Sequence, residues 1–263
     1  MISENPVKSK IKNGEPVIMA FCTVTDSNVP ELMAMCGIDI IVIDNEHMAF
    51  TDQQILSITR AVTAQNKACL LRTAVKDIEY INRFMEFGIS GICATRCGSV
   101  DDANKIINAV KYPPIGNRGY HIDGRATGFG FMGGQSAEEY MRFANENTMI
   151  FITLEDMNGI RDAEAIAKLK EIDSVHIGPF DLSNSMGFGG NVQHPEVQKV
   201  LSETEAIIRA AGNLTGCFAV TPDKVPELIA QGEKCLIIYS EIAILRETYS
   251  EYSKAIQKAV GKI

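Results

Sequence analysis

The chain has no tryptophan and only four histidines, and its positive charge is low for a protein that binds nucleic acid or an anionic membrane. Its 263 residues include 25 Lys and Arg against 33 Asp and Glu, which gives a formal net charge of −8. Proteins that bind nucleic acid or anionic membranes normally present a basic surface, so the sequence disfavours both partners. No run of about twenty apolar residues is present, and Met1–Asn5 lacks the hydrophobic core of a signal peptide. We therefore expect a cytoplasmic protein.

The seven cysteines lack the spacing of a metal site. None of them forms a C-x-x-C pair, and most lie inside apolar runs, at positions 22, 69, 93, 217 and 235. This distribution is typical of buried, reduced thiols rather than of a zinc site or disulfides. Cys97 differs because it follows a predicted strand, although a buried thiol is favoured there too.

Strand-like and helix-like segments alternate along the chain. The predicted strands are Val17–Cys22, Ile38–Ile43, Ala68–Leu71, Gly91–Ala94, Met149–Leu154, Val175–Gly178, Leu214–Val220 and Cys235–Tyr239. The predicted helices are Val29–Met35, Asp52–Ala64, Asp77–Phe87, Ser99–Val110, Asp162–Leu169, Pro195–Ala210, Pro222–Gln231 and Glu241–Val260. Several helices begin at capping residues, such as Thr51, and several end at glycine, such as Gly88.

Eight strands that alternate with eight helices in a chain of this length predict one (β/α)8 TIM barrel, an α/β fold, over residues 1–263. A doubly wound open sheet is the alternative, but no G-x-G-x-x-G motif follows the first strand. The segment Lys111–Gln135 is rich in Gly, Pro and Arg, and loops of this length are usually functional or interfacial. Within it, Gly128–Gly134 is either a flexible flap or a connection on the barrel surface.

The second predicted strand ends in three ionisable residues, which is unusual for a core strand. Asp44, Glu46 and His47 directly follow the apolar run Ile38–Ile43. An imidazole held by a carboxylate can transfer protons at neutral pH. In a TIM barrel the carboxyl ends of the strands form the active-site face, so these residues should converge with charged residues that follow other strands. Those residues are Arg72 after the third strand, Glu155 after the fifth and Asp181 after the sixth.

The converging residues indicate enolate chemistry on a 2-oxo acid. Two carboxylates without a cysteine partner suit a hard divalent cation such as Mg²⁺ or Mn²⁺, and they also accept Co²⁺ or Zn²⁺. An adjacent arginine can bind a substrate carboxylate through two hydrogen bonds, and a histidine can move protons. A structural ion-pair network is the alternative for any single residue, but the convergence of four strand ends favours an enzyme.

The remaining histidines and the lysines have simpler interpretations. His176 lies inside a predicted strand and is expected in the core, His121 lies in a solvated loop, and His194 precedes a helix. Lys67 and Lys234 precede strands instead of following them, so Schiff-base aldolase chemistry is disfavoured.

Several segments combine into a specific pattern. They are Asp44-Asn45-Glu46-His47, Leu71-Arg72, the Lys111–Gly119 segment KYPPIGNRG, Arg125-Ala126-Thr127, Leu154-Glu155 and the Ile177–Ser183 segment IGPFDLS, followed by Gly212 through Leu245. In these segments the chain resembles the metal-dependent (class II) pyruvate aldolases of the HpcH/HpaI family. That family includes 4-hydroxy-2-oxoheptanedioate and 2-keto-3-deoxy-sugar-acid aldolases, and the resemblance covers nearly the whole chain.

The resemblance implies a carbon–carbon lyase of aromatic-compound or sugar-acid catabolism. Such an enzyme reversibly cleaves a 4-hydroxy-2-oxo acid into pyruvate, or a similar 2-oxo acid, and an aldehyde. By analogy, Glu155 and Asp181 would ligate the divalent metal, and Arg72 would bind the oxo acid. His47, oriented by Asp44, would act on the aldol hydroxyl through a metal-bound water. Glu46 would either order such a water or pair locally.

The resemblance also implies a substrate site and an assembly. The backbone around Gly178, Pro179 and Phe180, together with Asp181, would receive the pyruvate carboxylate. Two positions depart from the family pattern. Thr153, which would lie near the oxo acid, occupies a position where many relatives have Gln. Thr95-Arg96-Cys97 replaces a stretch that commonly contains Pro. The family forms homo-oligomers, trimers or hexamers, so the C-terminal helix at about 241–260 would be swapped with a neighbouring subunit. A neighbour's Arg118–Gly130 segment would then line the mouth.

Two alternatives remain at this point. One is a related enolate enzyme, either phosphoenolpyruvate mutase-like or an acyl-CoA lyase, although the sequence has no clear phosphonate or nucleotide signature. The other is a catalytically degenerate paralogue that binds a 2-oxo acid. The intact set of acids, Arg and His argues against the second alternative.

Overall fold

In the computed structural model, which describes residues 4–218 and 221–261, eight parallel strands form a nearly closed barrel. The strands are β1 Val17–Cys22, β2 Ile40–Asp44, β3 Ala68–Ala74, β4 Gly91–Thr95, β5 Met149–Leu154, β6 Ser174–Ile177, β7 Gly216–Phe218 and β8 Cys235–Ile238. Their order is β6-β5-β4-β3-β2-β1-β8-β7, and a single bridge from Ser174 to Leu214 connects the two ends of the sheet. The predicted TIM barrel is confirmed.

Helices surround the barrel. They are α1 Pro6–Lys12, α2 Asn28–Met35, α3 Asp52–Ala64, α4 Ile81–Glu86, α5 Val100–Val110, α6 Ala137–Asn147, α7 Met157–Ala167, α8 Pro179–Ser185, α9 Pro195–Ala210, α10 Val225–Ala230 and α11 Glu241–Ala259. Short 3₁₀ turns cover Val75–Tyr80, Met132–Gly134 and Pro222–Lys224. Within the described ranges, no helix is both long and apolar enough to cross a membrane.

The strands are apolar on both faces because they separate two hydrophobic cores. Residues such as Val42, Leu70 and Phe151 fill the interior of the barrel. Their strand neighbours, such as Ile43 and Leu71, pack outward against the helices. This double burial leaves the charged residues of the strands at the strand ends, where solvent and a substrate can reach them.

The cysteines are free thiols, as predicted. Five of them are buried, including Cys97, while Cys217 is half-buried and Cys36 is exposed. Burial is the largest cause of the raised pKa of Cys93, about 11, and of Cys97, about 12. These thiols are therefore protonated near neutral pH, which agrees with a packing role.

Some boundaries differ from the prediction. The helix expected at Asp162 begins at Met157, where the Asp156 side chain caps it by accepting the N–H groups of Asn158 and Gly159. Strand β7 begins at Gly216 instead of the predicted Leu214, and the last two predicted residues, 219 and 220, lie outside the described residues. The prediction omitted α1, α6 and α8. Helix α6 is mostly polar, so its apolar period is weak, although Ser136 and Glu139 form a capping box at its start.

The irregular segment after α5 is held against α6 by buried polar contacts. Lys111 Nζ donates to the carbonyl oxygens of Asn145 and Thr148, at 2.6 and 2.7 Å. The Asn145 side chain in turn accepts the N–H of Tyr112 and donates to its carbonyl. Further along, Gly128–Gly134 forms turns on the surface, where Phe129 and Phe131 are exposed.

Replacing Lys111 with Met should destabilise the fold by about 1–3 kcal/mol at pH 9, because the buried Asn145 carbonyl loses the donor from Lys111 and the Thr148 carbonyl keeps only Lys8 Nζ, at 3.1 Å. Burial, and secondarily the charge of Lys8, lowers the pKa of Lys111 to about 7. Between about pH 7 and 10 the unfolded chain binds this proton and the folded protein does not, so the wild-type free energy of unfolding rises with pH there. The deficit of Lys111→Met should therefore be larger at pH 9 than at pH 6 in urea unfolding.

The matched control for this substitution is Lys105→Met on the surface of α5, where Lys105 pairs with Asp102. An exposed pair contributes little, so this substitution should shift the urea midpoint far less than Lys111→Met does at either pH value. Equal effects of the two substitutions would contradict the role assigned to Lys111.

Candidate active site

The carboxyl end of the barrel gathers charged residues from neighbouring strands. Asp44 is the last residue of β2 and is paired in register with Arg72 of β3, so the two side chains project to the same face of the sheet. Glu46 and His47 lie in the turn after β2, and Glu155 directly follows β5. The structure thus brings together side chains that are far apart in the sequence.

The Arg72 guanidinium lies at the centre of this charged group. Its Nη1 is 3.2 Å from Asp44 Oδ2, and its Nη2 is 3.0 Å from Glu46 Oε2 and 3.5 Å from Glu155 Oε1. A planar guanidinium has five N–H donors, so it can contact several carboxylates at once. The group also lies over the Phe21 ring, 5.5 Å from the ring centroid. Arg72 is therefore held in one orientation by three acids and an aromatic face.

The contacts of Asp44 differ from those predicted. Its Oδ1 accepts the backbone N–H groups of Glu46 and His47, at 3.2 Å each. The imidazole Nε2 of His47 instead lies 3.8 Å from Glu46 Oε2. A short Asp side chain at a strand end readily caps the following turn in this way. Asp44 thus accepts the backbone N–H of His47 and pairs with the Arg72 guanidinium, whereas Glu46 is the carboxylate beside the His47 imidazole.

Glu155 is buried between charges of both signs. Its Oε2 accepts the backbone N–H of Arg96 at 3.1 Å. Burial raises the pKa of Glu155 to about 7, and the charges of Glu46 and Asp181 add to this effect, whereas Arg72 and the N–H of Arg96 oppose it. Burial, more than the neighbouring charges, therefore favours the protonated form of Glu155.

Helix α8 begins directly beside Glu155. A Cβ at Gly178 would lie 2.8 Å from Glu155 Cγ, so this close approach requires glycine. Pro179 opens the helix, and Asp181 is exposed in its first turn. The Gly178 N–H donates to the Leu154 carbonyl at 2.8 Å, so among the backbone N–H groups expected around Gly178 and Phe180 to receive a substrate carboxylate, that of Gly178 already has a partner.

A cavity of about 610 Å³ opens at this end of the barrel. The predicted site residues that line it are His47, Arg72, Thr153, Glu155, Gly178, Pro179, Phe180 and Asp181. The cavity continues past β7 to Gln198 and Glu205 of α9, which sequence reasoning missed. Phe21 and Phe218 also line it, and the two-residue period of strands β1 and β7 could have identified both as inward-facing.

Thr153 and His176 form a layer below the charged group. The two residues are paired in register on β5 and β6, and both are buried. His176 contacts the rings of Phe151 and Phe218, and burial lowers its pKa to about 4. It is a neutral core residue, as predicted, and its Nε2 has no hydrogen-bond partner among the described residues.

Arg96 is a second guanidinium at the site, and the sequence prediction gave it no role. Its Nε donates to Glu46 Oε1 at 3.1 Å. Burial raises the pKa of Glu46, but the charge of Arg72 and the hydrogen bonds from Arg96 and Thr95 outweigh it, so the pKa is lowered. Glu46 is therefore ionised at neutral pH. No pattern in the sequence identifies this contact, because Arg96 and Glu46 follow different strands.

The other candidate residues lie away from this group. His194 caps α9 by accepting the Glu196 N–H, and it stacks on Phe188 with ring centroids 3.7 Å apart. His121 is exposed in the loop after α5. Lys67 pairs with Asp39, which precedes β2, at 2.9 Å, so it lies at the amino end of the barrel. These positions agree with the roles expected from the sequence.

The chemistry of the acids fits a divalent cation. Three carboxylates (Asp44, Glu46 and Glu155) contact two guanidiniums, and a fourth, Asp181, lies close enough to Glu155 for its charge to act on it. The resulting excess of negative charge matches a dication, and carboxylate oxygens are suitable ligands. Glu155 and Asp181 line the cavity and would hold the ion. Over the described ranges, no group of three or more His, Cys, Asp or Glu is arranged to bind a metal, so substrate or water oxygens would complete the coordination.

The sequence matches a known family over most of its length. Residues 17–242 match the model of the HpcH/HpaI aldolase/citrate lyase family. The chain is 31% identical over 258 residues to the 2-keto-3-deoxy-L-rhamnonate aldolase of Klebsiella pneumoniae, which covers 98% of this chain and 92% of that protein.

Solved structures share the fold. The HpcH/HpaI aldolase from Desulfitobacterium hafniense superposes with a TM-score of 0.86 at 23% identity, over 95% of this chain and 96% of that one. The citrate lyase beta subunit from M. tuberculosis, solved with oxaloacetate and magnesium, has a TM-score of 0.55 at 14% identity, over 91% and 99%. The match over residues 17–242 and the similarity to the Klebsiella enzyme show that this chain belongs to the HpcH/HpaI aldolase/citrate lyase family.

Proposed function

We propose that this protein is a divalent-metal-dependent aldolase that reversibly cleaves a 4-hydroxy-2-oxo acid into pyruvate and an aldehyde. The proposal rests on the position of Arg72, whose guanidinium pairs with three carboxylates. Arg72 lies in the wall of a cavity that Glu155 and Asp181 also line. The relatives named 2-keto-3-deoxy-L-rhamnonate aldolase support a 3-deoxy-2-oxo sugar acid as the substrate class. The enzyme is a carbon–carbon lyase.

Arg72 and the metal site of Glu155 and Asp181 would bind the 2-oxo acid. Glu155 and Asp181 would hold the cation, which would supply Lewis-acid chemistry there, and Mg²⁺ or Mn²⁺ suits two carboxylate ligands best. Arg72 presents N–H groups toward the cavity and stabilises the negative charge that develops on the oxo acid. Thr153 and the first turn of α8, with Phe180, form the remaining wall around the bound acid.

Proton transfer falls to His47, whose side chain is 49% exposed at the mouth of the cavity. His47 accepts the proton of the C4 hydroxyl while the C3–C4 bond breaks, and the electron pair of that bond forms the enolate of pyruvate. Return of a proton to C3 then completes pyruvate, and the aldehyde leaves. Asp44 keeps the His47 backbone in place, and Glu46 stabilises the protonated ring.

Removal of the metal should abolish the reaction. In EDTA, the wild-type enzyme should release no pyruvate from 2-keto-3-deoxy-L-rhamnonate or from a panel of 4-hydroxy-2-oxo acids, and added Mg²⁺ or Mn²⁺ should restore it. Glu155→Gln and Asp181→Asn should each weaken Mn²⁺ binding at least about tenfold in calorimetry, because each removes an anionic ligand. Glu164→Gln, an exposed acid on α7, is the control and should bind Mn²⁺ as the wild type does. Pyruvate release that survives EDTA would reject the metal.

Replacement of His47 should separate proton transfer from metal binding. His47→Ala should lower kcat/KM for cleavage by about 10²–10⁴-fold, the usual contribution of a general acid–base group. Its Mn²⁺ affinity should stay within about twofold of the wild type, because the imidazole is not a ligand. Equal loss of activity and of metal binding would argue that His47 belongs to the metal site instead.

We further propose that α11 packs against a neighbouring copy in a trimeric or hexameric homo-oligomer. The helix exposes a row of large apolar side chains, between 42% and 71% accessible: Ile242, Leu245, Tyr249, Tyr252 and Ile256. Their spacing places them on one face of the helix. A contiguous apolar face of this kind usually marks an interface, and the family resemblance supports exchange of this helix between subunits.

Charges on this face should dissociate the oligomer. Tyr252→Asp combined with Ile256→Asp should lower the mass measured by size-exclusion chromatography with light scattering, because two carboxylates cannot be buried in an apolar contact without a large cost. The control, Lys254→Asp with Lys258→Asp, places two carboxylates on the opposite face with an even larger change of net charge and should leave the mass unchanged. A wild-type monomer would contradict the proposal.

A further inference from the structure

Arg96 contacts two acids of the candidate site through different parts of the residue. Its backbone N–H donates to Glu155 Oε2 and its side-chain Nε donates to Glu46 Oε1, both at 3.1 Å. We infer that Arg96 is a positioning residue that holds the Glu46 carboxylate and, through it, the imidazole of His47. This inference rests on the proposed aldolase function and adds to it a residue that does not touch substrate.

Glu46 connects Arg96 to the proton-transfer group. With Oε1 held by Arg96, Oε2 is directed toward Arg72 Nη2, 3.0 Å away, and toward His47 Nε2, 3.8 Å away. The Glu46 side chain is 8% exposed, and its Oε2 makes no hydrogen bond of good geometry with any described residue. The position of Oε2 therefore depends on how Oε1 is held, and Arg96 provides a directional, charge-assisted bond there.

The backbone conformation of Arg96 indicates that its side chain has a role. Arg96 has a φ of +56°, in the left-handed region that favours glycine. A glycine would also donate its N–H to Glu155 and would adopt this conformation without a steric penalty. The turn geometry alone therefore does not account for an arginine at this position, whereas the hydrogen bond from its side chain to Glu46 does.

The placement of Arg96 separates it from the substrate-binding residues. Its side chain is 62% exposed, and it lies outside the described wall of the cavity that Arg72, Glu155 and His47 line. Loss of its side chain should therefore slow the chemical step and leave the binding of the oxo acid nearly unchanged.

Arg96→Gly tests this inference because it removes the side chain and keeps both the turn and the N–H to Glu155. With 2-keto-3-deoxy-L-rhamnonate as substrate, kcat should fall about tenfold or more, as is usual for a residue that orients an active-site group, while KM stays within about threefold. Arg96→Lys, which can still reach Glu46, should recover part of kcat. Asn66→Gly is the matched control, since Asn66 also has a φ of +56° but lies before β3 on the surface; it should behave as the wild type.

A double-mutant cycle tests whether Arg96 acts through Glu46. In a Glu46→Gln background, Arg96→Gly should change kcat by no more than about twofold, because the bond it removes is already weakened. Full additivity of the two effects would overturn the inference, and so would a raised KM with kcat unchanged.

The failure of the proposed function would be distinguishable from the failure of this inference. If the wild type releases no pyruvate from any acid tested, the aldolase proposal fails. The Arg96–Glu46 link is then judged by urea unfolding, where Arg96→Gly should shift the midpoint differently in the wild-type and Glu46→Gln backgrounds. Equal shifts in both backgrounds would overturn the link.

Discussion

The site depends on one buried cation, the guanidinium of Arg72, which pairs with Asp44 and Glu46 at the end of β2 and with Glu155 at the end of β5. Each acid needs Arg72 to offset the cost of its burial, and Arg72 needs the acids for the same reason. The acids nevertheless outnumber the guanidiniums; burial raises the pKa of Glu155, and the charges of Glu46 and Asp181 raise it further. A divalent cation would offset this excess of negative charge, so metal binding would stabilise the site.

The barrel makes this concentration of charge tolerable. Its interior is filled by apolar side chains such as Val42 and Phe151 up to the layer of Thr153 and His176. Charged groups are thus kept to the ends of the strands, and those at the carboxyl ends face the cavity that admits water and substrate. The rigid sheet also keeps the distances between strand ends constant, which a metal site and a proton-transfer group both require.

Much of the fold could be predicted because the parallel strands are nearly continuous apolar runs bounded by capping residues and glycines. The elements missed have weak local signals. Helix α6 is polar and buries only a narrow face through Tyr140 and Ala144, and α8 is seven residues long. The convergence of Asp44, Arg72 and Glu155 could also be predicted, since all three lie at the carboxyl ends of strands of one barrel.

By itself, the sequence determined the barrel, its active-site face and the residue types gathered there, because strand periodicity and chain order dictate which side chains reach that end. Only the tertiary structure decided how these side chains pair. It placed Glu46 instead of Asp44 beside His47, and it placed Arg96 against Glu46 across 50 residues of chain. Such contacts depend on rotamers and on turn geometry between separate strands, and a one-dimensional pattern does not specify either.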